Sequence, residues 1–297
     1  MENSQSALEY RKLRRSYEYW IGSEYLGFAS SVRHFRFITA FKKLIKIIKY
    51  KKYWYRPAYD SPDMKNIPVI KNDEPVSDRR IAVYTCITGN YDYIKEPLFK
   101  SDNVDFFVFS DRKVSSKAWK QLDIPKEAKS FTGSLVNRFI KMHPHLLFNN
   151  YDYTLYVDGN VLVLDNPLHF INCMNLEYGI AMHKHAFRND IYKEADACLK
   201  LKKGNPIKIK AQLEAYRVEG MPDSYGLLEA TIILTKMNHP KAAEIYDKWW
   251  DDFLIREGYR DQLSLPYVLW KMKINPNEIG TLGNNEYQNG SFFIFGH

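Results

Sequence analysis

Two oxygen-bearing side chains, Asp158 and Asn160, stand one residue apart directly after an apolar run of the sequence. That run, residues 154–157, consists of β-branched, aromatic and leucine side chains, which indicates a buried strand. Ligands of open α/β sheets bind at the carboxyl ends of the strands. Because Mg²⁺ and Mn²⁺ take oxygen ligands and bridge to substrate phosphates, the segment predicts a site for one of these cations. The structural alternative is an Asp-Gly hairpin turn.

Cationic side chains that suit a phosphate stand in a segment whose apolar residues have helical spacing. Arg138 and Lys141 are three residues apart, so they share one face of a helix predicted over residues 134–148. A diphosphate needs cationic donors, and the planar guanidinium group matches its oxygens. The alternative is a pair of solvated surface charges.

Strand and helix patterns alternate from residue 80 onward, and they must position these side chains. Apolar, β-rich runs predict strands at residues 80–88, 105–110, 154–157, 161–164, 178–183, 227–235 and 291–295. Helical spacing predicts helices at residues 134–148, 190–203, 207–218, 240–256 and 261–273. This alternation predicts an α/β fold with a mostly parallel, doubly wound sheet. The glycine motifs of dinucleotide-binding folds and P-loop ATPases are absent, which argues against both classes.

Seven segments of this region resemble, in the same order, the glycosyltransferase-like domain family of bacterial polysaccharide loci and plant mucilage-related proteins. They are VYTCITGNYD (83–92), FFVFSD (106–111), NRFIKMHPHLLF (137–148), YTLYVDGNVLV (153–163), HKHAFRNDIYKEADAC (183–198), EATIILTKMNH (229–239) and RDQLSLPYVLWK (260–271). The resemblance implies a GT-A fold, a nucleotide-sugar donor with UDP-sugars favoured, and a glycan or lipid-linked acceptor. It also implies that Asp158 and Asn160 act as a DxD-like metal motif, with His297 as a third ligand of the kind that GT-A enzymes take from the C-terminal segment.

Donor-binding roles follow for residues just past the first two strands. Thr88 and Tyr91 lie in a loop that could hold the nucleobase by stacking and backbone hydrogen bonds, and Asp111 could accept from the base or the ribose. The structural alternatives are a turn with Tyr91 packed in the core, and a cap or turn role for Asp111.

A polar cluster after the strand at residues 178–183 suits recognition of sugar hydroxyls. Its members are His183, Arg188 and Asp190, with His185 between them. Two histidines without a nearby third ligand are a weak metal signal. Asp190 has the alternative role of capping the helix that follows.

Candidate catalytic residues come from two further segments, Glu229 in an apolar strand and Asp261-Gln262 at a helix start. A buried carboxylate needs a partner or a function, so Glu229 either acts on the acceptor or pairs with an arginine, Arg188 or Arg260. The Asp-Gln pair is similar to an element of family 8 retaining glycosyltransferases. Asp261 would contact the donor sugar, stabilise an oxocarbenium-like transition state or act as a general base; the alternative is a helix cap.

The basic character of the chain belongs to one N-terminal element. The net charge is +8, and nine Lys/Arg and no Asp/Glu fall between Arg33 and Arg56. Residues 1–56 are predicted to be helical, with an apolar face of Phe37, Ile38, Phe41, Leu44, Ile45 and Ile48. Such a helix is typical of in-plane binding to an anionic membrane surface; packing on its own domain and, less favoured, nucleic-acid binding are the alternatives. Residues 57–79 are proline-rich and predict a linker or an extended arm, and residues 80–297 form the predicted catalytic domain.

The remaining composition bounds the compartment. Three well-separated cysteines in no metal-like spacing argue for a reducing compartment. The absence of a secretory signal core and of a membrane-spanning stretch completes the prediction of a cytoplasmic protein, peripheral at the inner face of the membrane. The sequence thus predicts a metal-dependent glycosyltransferase of surface polysaccharide synthesis. A ceramidase-like lipid or glycan hydrolase and a non-catalytic nucleotide-sugar-binding adaptor are the rival classes.

Overall fold

The computed structural model describes residues 28–29, 32–33, 37–41, 44, 68–89, 91–131, 133–257 and 260–295. The chain divides into two compact units, residues 1–62 and 63–297. Every described residue of the first unit is helical, and Phe37, Ile38 and Phe41 are largely exposed there. The other predicted members of this face, Ile45 and Ile48, lie outside the described residues. Among the helices that the structure describes, none is long and apolar enough to cross a membrane.

Six strands of the second unit form its central sheet. They are β1 (Ile81–Ile87), β2 (Val104–Ser110), β3 (Trp119–Leu122), β4 (Tyr153–Val157), β6 (Ile180–Lys184) and β7 (Leu228–Lys236), while β5 (Val161–Val163) pairs with β8 (Phe292–Ile294) in a separate ribbon. The order across the sheet is β3-β2-β1-β4-β7-β6. The β1–β2, β1–β4 and β2–β3 pairs are parallel, whereas β7 runs antiparallel to both β4 and β6. The predicted α/β fold with a mostly parallel sheet is therefore confirmed.

The helices match the predicted segments, with one break and with one short helix, at residues 276–279, that was not predicted. They are α1 (Ser134–Met142), α2 (Pro144–Leu147), α3 (Ile191–Lys200), α4 (Pro206–Val218), α5 (Pro240–Arg256), α6 (Asp261–Lys271) and α7 (Pro276–Ile279). The single helix predicted over residues 134–148 is two helices, because Pro144 disfavours helical backbone at the residue before it. His143 accordingly has φ −126° and ψ 44°.

Both faces of the sheet are covered, which explains why its central strands read as continuous apolar runs. All seven residues of β1 are buried. Ala82, Tyr84 and Cys86 pack into the core on one face, and Ile81 and Val83 pack into the core on the other. The short strand β3, with two exposed polar residues among its four, carries no such pattern and was not predicted.

The mixed strand directions bring several chain ends to one edge of the sheet. The parallel strands β1, β2 and β4 end there, and the antiparallel strand β7 begins there. The Asp158 amide, just past β4, donates to the Thr231 carbonyl at 2.9 Å. On the other side of β7, His183 lies opposite Glu229. Asp158, Glu229 and the end of β6 are therefore neighbours, although they are far apart in sequence.

The described part of the proline-rich segment, residues 68–79, is an extended arm of the second unit. The Val69 amide donates to Thr281 at 3.0 Å, and the Lys71 amide donates to Asn172 at 2.8 Å. The Glu74 carboxylate accepts from the Tyr153 hydroxyl and pairs with Lys236. The compact unit thus extends upstream of residue 80.

Candidate active site

Four charged side chains form a mostly buried network at the shared edge of the sheet. The Lys141 ammonium lies 2.9 Å from Asp261 Oδ2 and 3.3 Å from Asp158 Oδ1, and its side chain is only 2% exposed. Arg138 Nε lies 3.0 Å from the same Asp261 oxygen. Helix α1 supplies both cations, the end of β4 supplies Asp158, and the first turn of α6 supplies Asp261. The network therefore joins three elements that are separate in sequence.

The charges in this network keep Asp261 and Arg138 ionised. Burial alone would raise the pKa of Asp261, but Arg138 and Lys141 outweigh burial and hold that pKa well below its usual range. Burial alone would lower the pKa of Arg138, but Asp261 and Asp158 raise it instead. Asp261 is consequently a permanent anion, which makes it a poor proton acceptor near neutral pH.

Tyr156 and Asn137 support the network from the strand and the helix. The Tyr156 hydroxyl donates to Asp158 Oδ1 at 2.7 Å, and the Lys141 ammonium lies 4.9 Å from the centre of the Tyr156 ring. Asn137 accepts from Arg138 at 2.6 Å and donates to the Cys86 carbonyl at 2.7 Å, at the end of β1. These contacts orient the charged groups.

The position of Lys141 does not match its predicted role as a phosphate ligand. Its ammonium group is enclosed and already faces two carboxylates, because α1 turns the lysine inward toward β4 and α6. Arg138 is one-fifth exposed and remains the cation of this pair that a diphosphate could reach. The alternative of two solvated surface charges does not hold for either residue.

The loop after β1 lies against the residue that ends β2. The Gly89 amide donates to Asp111 Oδ2 at 3.0 Å, and the Thr88 hydroxyl donates to the Gly133 carbonyl at 3.0 Å, just before α1. The Tyr91 ring is 72% exposed, so it is not packed in the core. Thr88, Tyr91 and Asp111 are thus gathered at the edge that carries the charge network, while Asp111 also has the turn-stabilising role left open above.

Asp158 and Asn160 suit a hard cation by donor type, and the structure constrains each of them. Asp158 is 30% exposed and shares its carboxylate with Lys141 and Tyr156. The Asn160 amide nitrogen donates to the Phe295 carbonyl at 2.7 Å, and the carbonyl oxygen is the atom of this side chain whose type suits a metal. No cluster of three or more His, Cys, Asp and Glu within the described residues could hold a metal ion. His297, the predicted third ligand, lies outside those residues, so metal binding stays a prediction.

Gly159, between these two residues, is required by close packing. A Cβ atom there would lie 2.9 Å from Ile87 Cγ1 and 3.0 Å from Asp92 Cβ. The turn after β4 therefore presses against the loop after β1, and only glycine allows that approach.

A second group of carboxyls lies beside the network, around Glu229. Gln262 donates to Glu229 Oε2 at 3.0 Å and Thr231 donates to Oε1 at 3.2 Å. Burial, with the nearby charge of Asp158, raises the pKa of Glu229 to about 7, although these two hydrogen bonds act to lower it. Burial, with Glu229 and Asp158 close by, also raises the pKa of Glu286 well above its usual range. Glu229 is therefore a carboxyl poised to exchange a proton near neutral pH.

Of the three predicted sugar-binding residues, Arg188 is partly exposed, whereas His183 and Asp190 are buried. His183 is a wrong prediction, because its side chain is fully buried and accepts from the Asn289 amide at 2.8 Å. Asp190 is also wrong as a sugar ligand; it caps α3 by accepting from the Tyr192 and Lys193 amides at 2.8 and 3.0 Å. Arg188 is 30% exposed and pairs with Glu194, so the predicted pairing of Arg188 with Glu229 does not occur.

Two residues of the site, Tyr156 and Glu286, were not predicted from the sequence. A tyrosine in a buried strand and a glutamate in an irregular tail are ordinary in sequence, so neither gave a signal. His185, which the sequence placed in the polar cluster after β6, also belongs to the site: its Nε2 atom lies 3.4 Å from Glu194 and 3.7 Å from Glu229.

Comparisons with known proteins agree with this arrangement. Residues 67–290 match the TOD1/MUCI70 glycosyltransferase-like domain. The chain is 24% identical to "Alkaline ceramidase TOD1" of Arabidopsis thaliana, over 71% of this chain and 53% of that protein. It is also 24% identical to "Probable hexosyltransferase MUCI70" of the same plant, over 67% of this chain and 39% of that protein. The chain thus spans about half the length, or less, of these relatives.

A solved structure of an active-site variant of LgtC aligns with 73% of this chain and 87% of its own, at 11% identity and a TM-score of 0.43. A structural similarity this weak supports no functional argument. The family match over residues 67–290 is therefore the informative comparison.

The burial of Lys141 predicts a large stability cost on its removal. Lys141→Met leaves Asp261 and Asp158 with half of their compensating charge, and breaking a buried pair costs roughly 3–5 kcal/mol of unfolding free energy. Urea denaturation of the purified protein measures this loss. Lys241→Met is the matched control, because Lys241 pairs with Glu244 on the surface and should cost less than about 1 kcal/mol. Equal, small losses in both variants would contradict a buried network.

Proposed function

The chain belongs to the TOD1/MUCI70 glycosyltransferase-like domain family, and we propose that it transfers a sugar from a nucleotide-sugar donor to a glycan or lipid-linked acceptor in surface polysaccharide synthesis. The observation that carries the proposal is the buried ionised network at the sheet edge where β1, β2 and β4 end. Arg138 is the partly exposed cation of this network, and a fixed cation at such a place stabilises the negative charge that develops on a leaving diphosphate.

In this proposal the donor lies along the edge of a GT-A type sheet. Thr88, Tyr91 and Asp111 hold the base and ribose, with UDP-sugars favoured. Arg138 donates to the diphosphate, while Lys141 acts indirectly by keeping Asp158 and Asp261 in position. Asp261, as a permanent anion next to Gln262, faces the donor sugar and stabilises positive charge at its anomeric carbon in the transition state.

A divalent cation fits the donor set at Asp158 and Asn160, with His297 as a further ligand. The carboxylate and amide oxygens are those that Mg²⁺ and Mn²⁺ take, and imidazole tolerates Mn²⁺ better than Mg²⁺. Such an ion would neutralise the developing charge on the leaving nucleoside diphosphate.

Glu229 is the group best suited to take the proton of the acceptor hydroxyl. The hydroxyl oxygen bonds to the anomeric carbon, its proton passes to Glu229, and the nucleoside diphosphate leaves with the bond electrons. Gln262 and Thr231 orient the carboxylate by the hydrogen bonds described above. The low pKa of Asp261 argues against the same role for that residue.

One relative is named as a ceramidase, which keeps a lipid hydrolase as the second candidate. The two functions differ in what is consumed. A transferase requires a nucleotide sugar and releases a nucleoside diphosphate, whereas a hydrolase cleaves its lipid or glycan without one.

The decisive test is turnover of purified protein on a panel of nucleotide sugars, with Mn²⁺ and extracts of surface glycan as acceptor. We expect one donor to be consumed, with equimolar release of nucleoside diphosphate and a gain of sugar mass on the acceptor. Addition of EDTA should lower the rate by more than about tenfold, because the leaving group loses its counter-charge, and Mn²⁺ should restore it.

The matched variant for the metal is Asp158→Asn, which keeps an acceptor for Tyr156 but removes the anionic ligand. It should lose activity while losing less stability than Lys141→Met, because Lys141 keeps its pair with Asp261. Ceramide cleavage without any nucleotide sugar would contradict the transferase, and full activity in EDTA would remove the metal from the account.

The raised pKa of Glu229 predicts a pH dependence. Its deprotonated form is the base, so kcat/KM should rise with pH, by about tenfold between pH 6 and pH 8 for a group with a pKa near 7. Burial lowers the pKa of His185 to about 4, so this histidine stays uncharged in that range. The Glu229→Gln variant should be slow and should lose the slope. A wild-type profile that is flat between these pH values would exclude Glu229 as the base.

We propose that the N-terminal unit binds an anionic membrane surface. Phe37, Ile38 and Phe41 are largely exposed on its described helical residues, and the surrounding sequence is strongly basic. The protein should co-sediment with vesicles that contain anionic lipid and not with neutral vesicles, and salt should release part of it.

Two variants separate the contributions to membrane binding. Replacement of Lys42, Lys43, Lys46 and Lys49 by Gln should weaken binding by roughly 1 kcal/mol per residue, without changing nucleotide affinity. Phe37→Ser with Phe41→Ser should weaken binding even in low salt. Indifference of the full-length protein to anionic vesicles would refute the membrane role.

A further inference from the structure

A cavity of about 290 Å³ opens beside Glu229, between the end of β6, the start of β7 and helix α7. Its lining includes Lys184, His185 and Arg188 from the first segment, Leu228 from the second, and Pro276 and Asn277 from the third. The volume is near the lower end of small-molecule sites. The donor residues proposed above do not line it.

The charged side chains among the described residues that line this cavity are all cationic. Lys184 and Arg188 are cations, and none of the described residues that line the cavity is an aspartate or glutamate. Within the part of the chain that the structure describes, Lys184 forms no ion pair. Arg188 uses its Nε atom for Glu194, which leaves its two terminal nitrogens as donors. His185 is uncharged at neutral pH, because burial lowers its pKa to about 4.

The lysine is held in place by close packing. A Cβ atom at Gly280 would lie 2.7 Å from Lys184 Cγ, so the lysine stem lies directly against the backbone of the segment after α7. The Lys184 amide also donates to the Gly283 carbonyl at 2.9 Å. A positioned cation with a packed stem is a built feature of the cavity, in contrast to the mobile lysines of an ordinary surface.

The cavity adjoins the proposed reacting centre through His185. His185, which lines the cavity, has its Nε2 atom 3.7 Å from Glu229 Oε2. Gln262 donates to the same Glu229 oxygen and leads to Asp261 and the charge network. A molecule in the cavity would therefore lie near Glu229, while the proposed donor residues lie outside the cavity.

We propose that this cavity binds an oxyanion, a carboxylate or a phosphate, carried by the acceptor, so that the enzyme glycosylates an acidic glycan in preference to a neutral one. The inference rests on the proposed function for the identity of the acceptor. Lys184 and the terminal nitrogens of Arg188 hold the oxyanion. Leu228 and Pro276 offer an apolar surface to the sugar ring, and the Asn277 amide offers hydrogen bonds to its hydroxyls.

The test is an NMR titration of full-length protein with three probes, in saturating UDP so that the donor site is filled. The probes are methyl β-D-glucuronide, glucose 6-phosphate and methyl β-D-glucoside, which carry a carboxylate, a phosphate and no charge on similar rings. We expect at least one anionic probe to bind roughly tenfold or more tightly than the neutral one, because a charge-assisted hydrogen bond is lost in the neutral case. The better anion identifies the source of the charge.

Three variants make the result specific. Lys184→Gln keeps the packed Cγ and should weaken the anionic probe by about tenfold, while Lys184→Arg should retain most of the affinity. Lys210→Gln, an exposed lysine of α4 that does not line the cavity, makes the same change in net charge and should have no effect.

Equal binding of neutral and anionic probes, or the same affinity in Lys184→Gln as in wild type, would overturn the inference. The proposed function has its own readout, since UDP either binds the wild-type protein or does not. A protein that binds UDP and shows no preference for the anionic probes overturns the acidic acceptor alone.

Discussion

The ion-pair network of Arg138, Lys141, Asp158 and Asp261 constrains the rest of this structure most strongly. Charges taken out of water are tolerated only when each has a partner at close range. The partners come from α1, from the end of β4 and from the start of α6, so those elements cannot shift independently. The strand order also shapes this site, because β7 runs antiparallel to β4 and so brings Glu229 beside Asp158. The sheet edge is thereby fixed around a patch of permanent charge.

The carboxyl groups of Asp261 and Glu229 belong to the same site but have opposite environments. Asp261 faces two cations and stays ionised, whereas Glu229 faces burial and another carboxylate and holds its proton up to about pH 7. Environments that push two carboxyl pKa values apart divide the roles of charge stabiliser and proton acceptor. The cavity of Lys184 and Arg188 lies on the Glu229 side. In the proposed arrangement, the donor site, the proton acceptor and the acceptor cavity follow one another along a single edge.

Much of the fold was predictable from sequence, and the misses have physical reasons. Buried strands such as β1 and amphipathic helices such as α5 repeat a pattern, whereas β3 is too short and too polar to show one. Acidic residues after a strand, within an apolar strand and at a helix start predict Asp158, Glu229 and Asp261 as site candidates, and the structure places these three near one another. Direction relative to the core is not encoded in residue type, so the sequence also predicts His183 and Asp190 as ligands, although His183 is internal and Asp190 caps α3. The burial of Lys141 depends on α6, more than a hundred residues away in the chain.

A crystal structure with a nucleoside diphosphate bound would test the central claim most directly, because the claim concerns where the diphosphate lies relative to the charge network. The account predicts diphosphate oxygens within hydrogen-bond distance of the Arg138 guanidinium, the base beside Tyr91, and the Asp261 pairs with Lys141 and Arg138 intact. A diphosphate bound away from this edge, with Arg138 making no contact to it, would contradict the account.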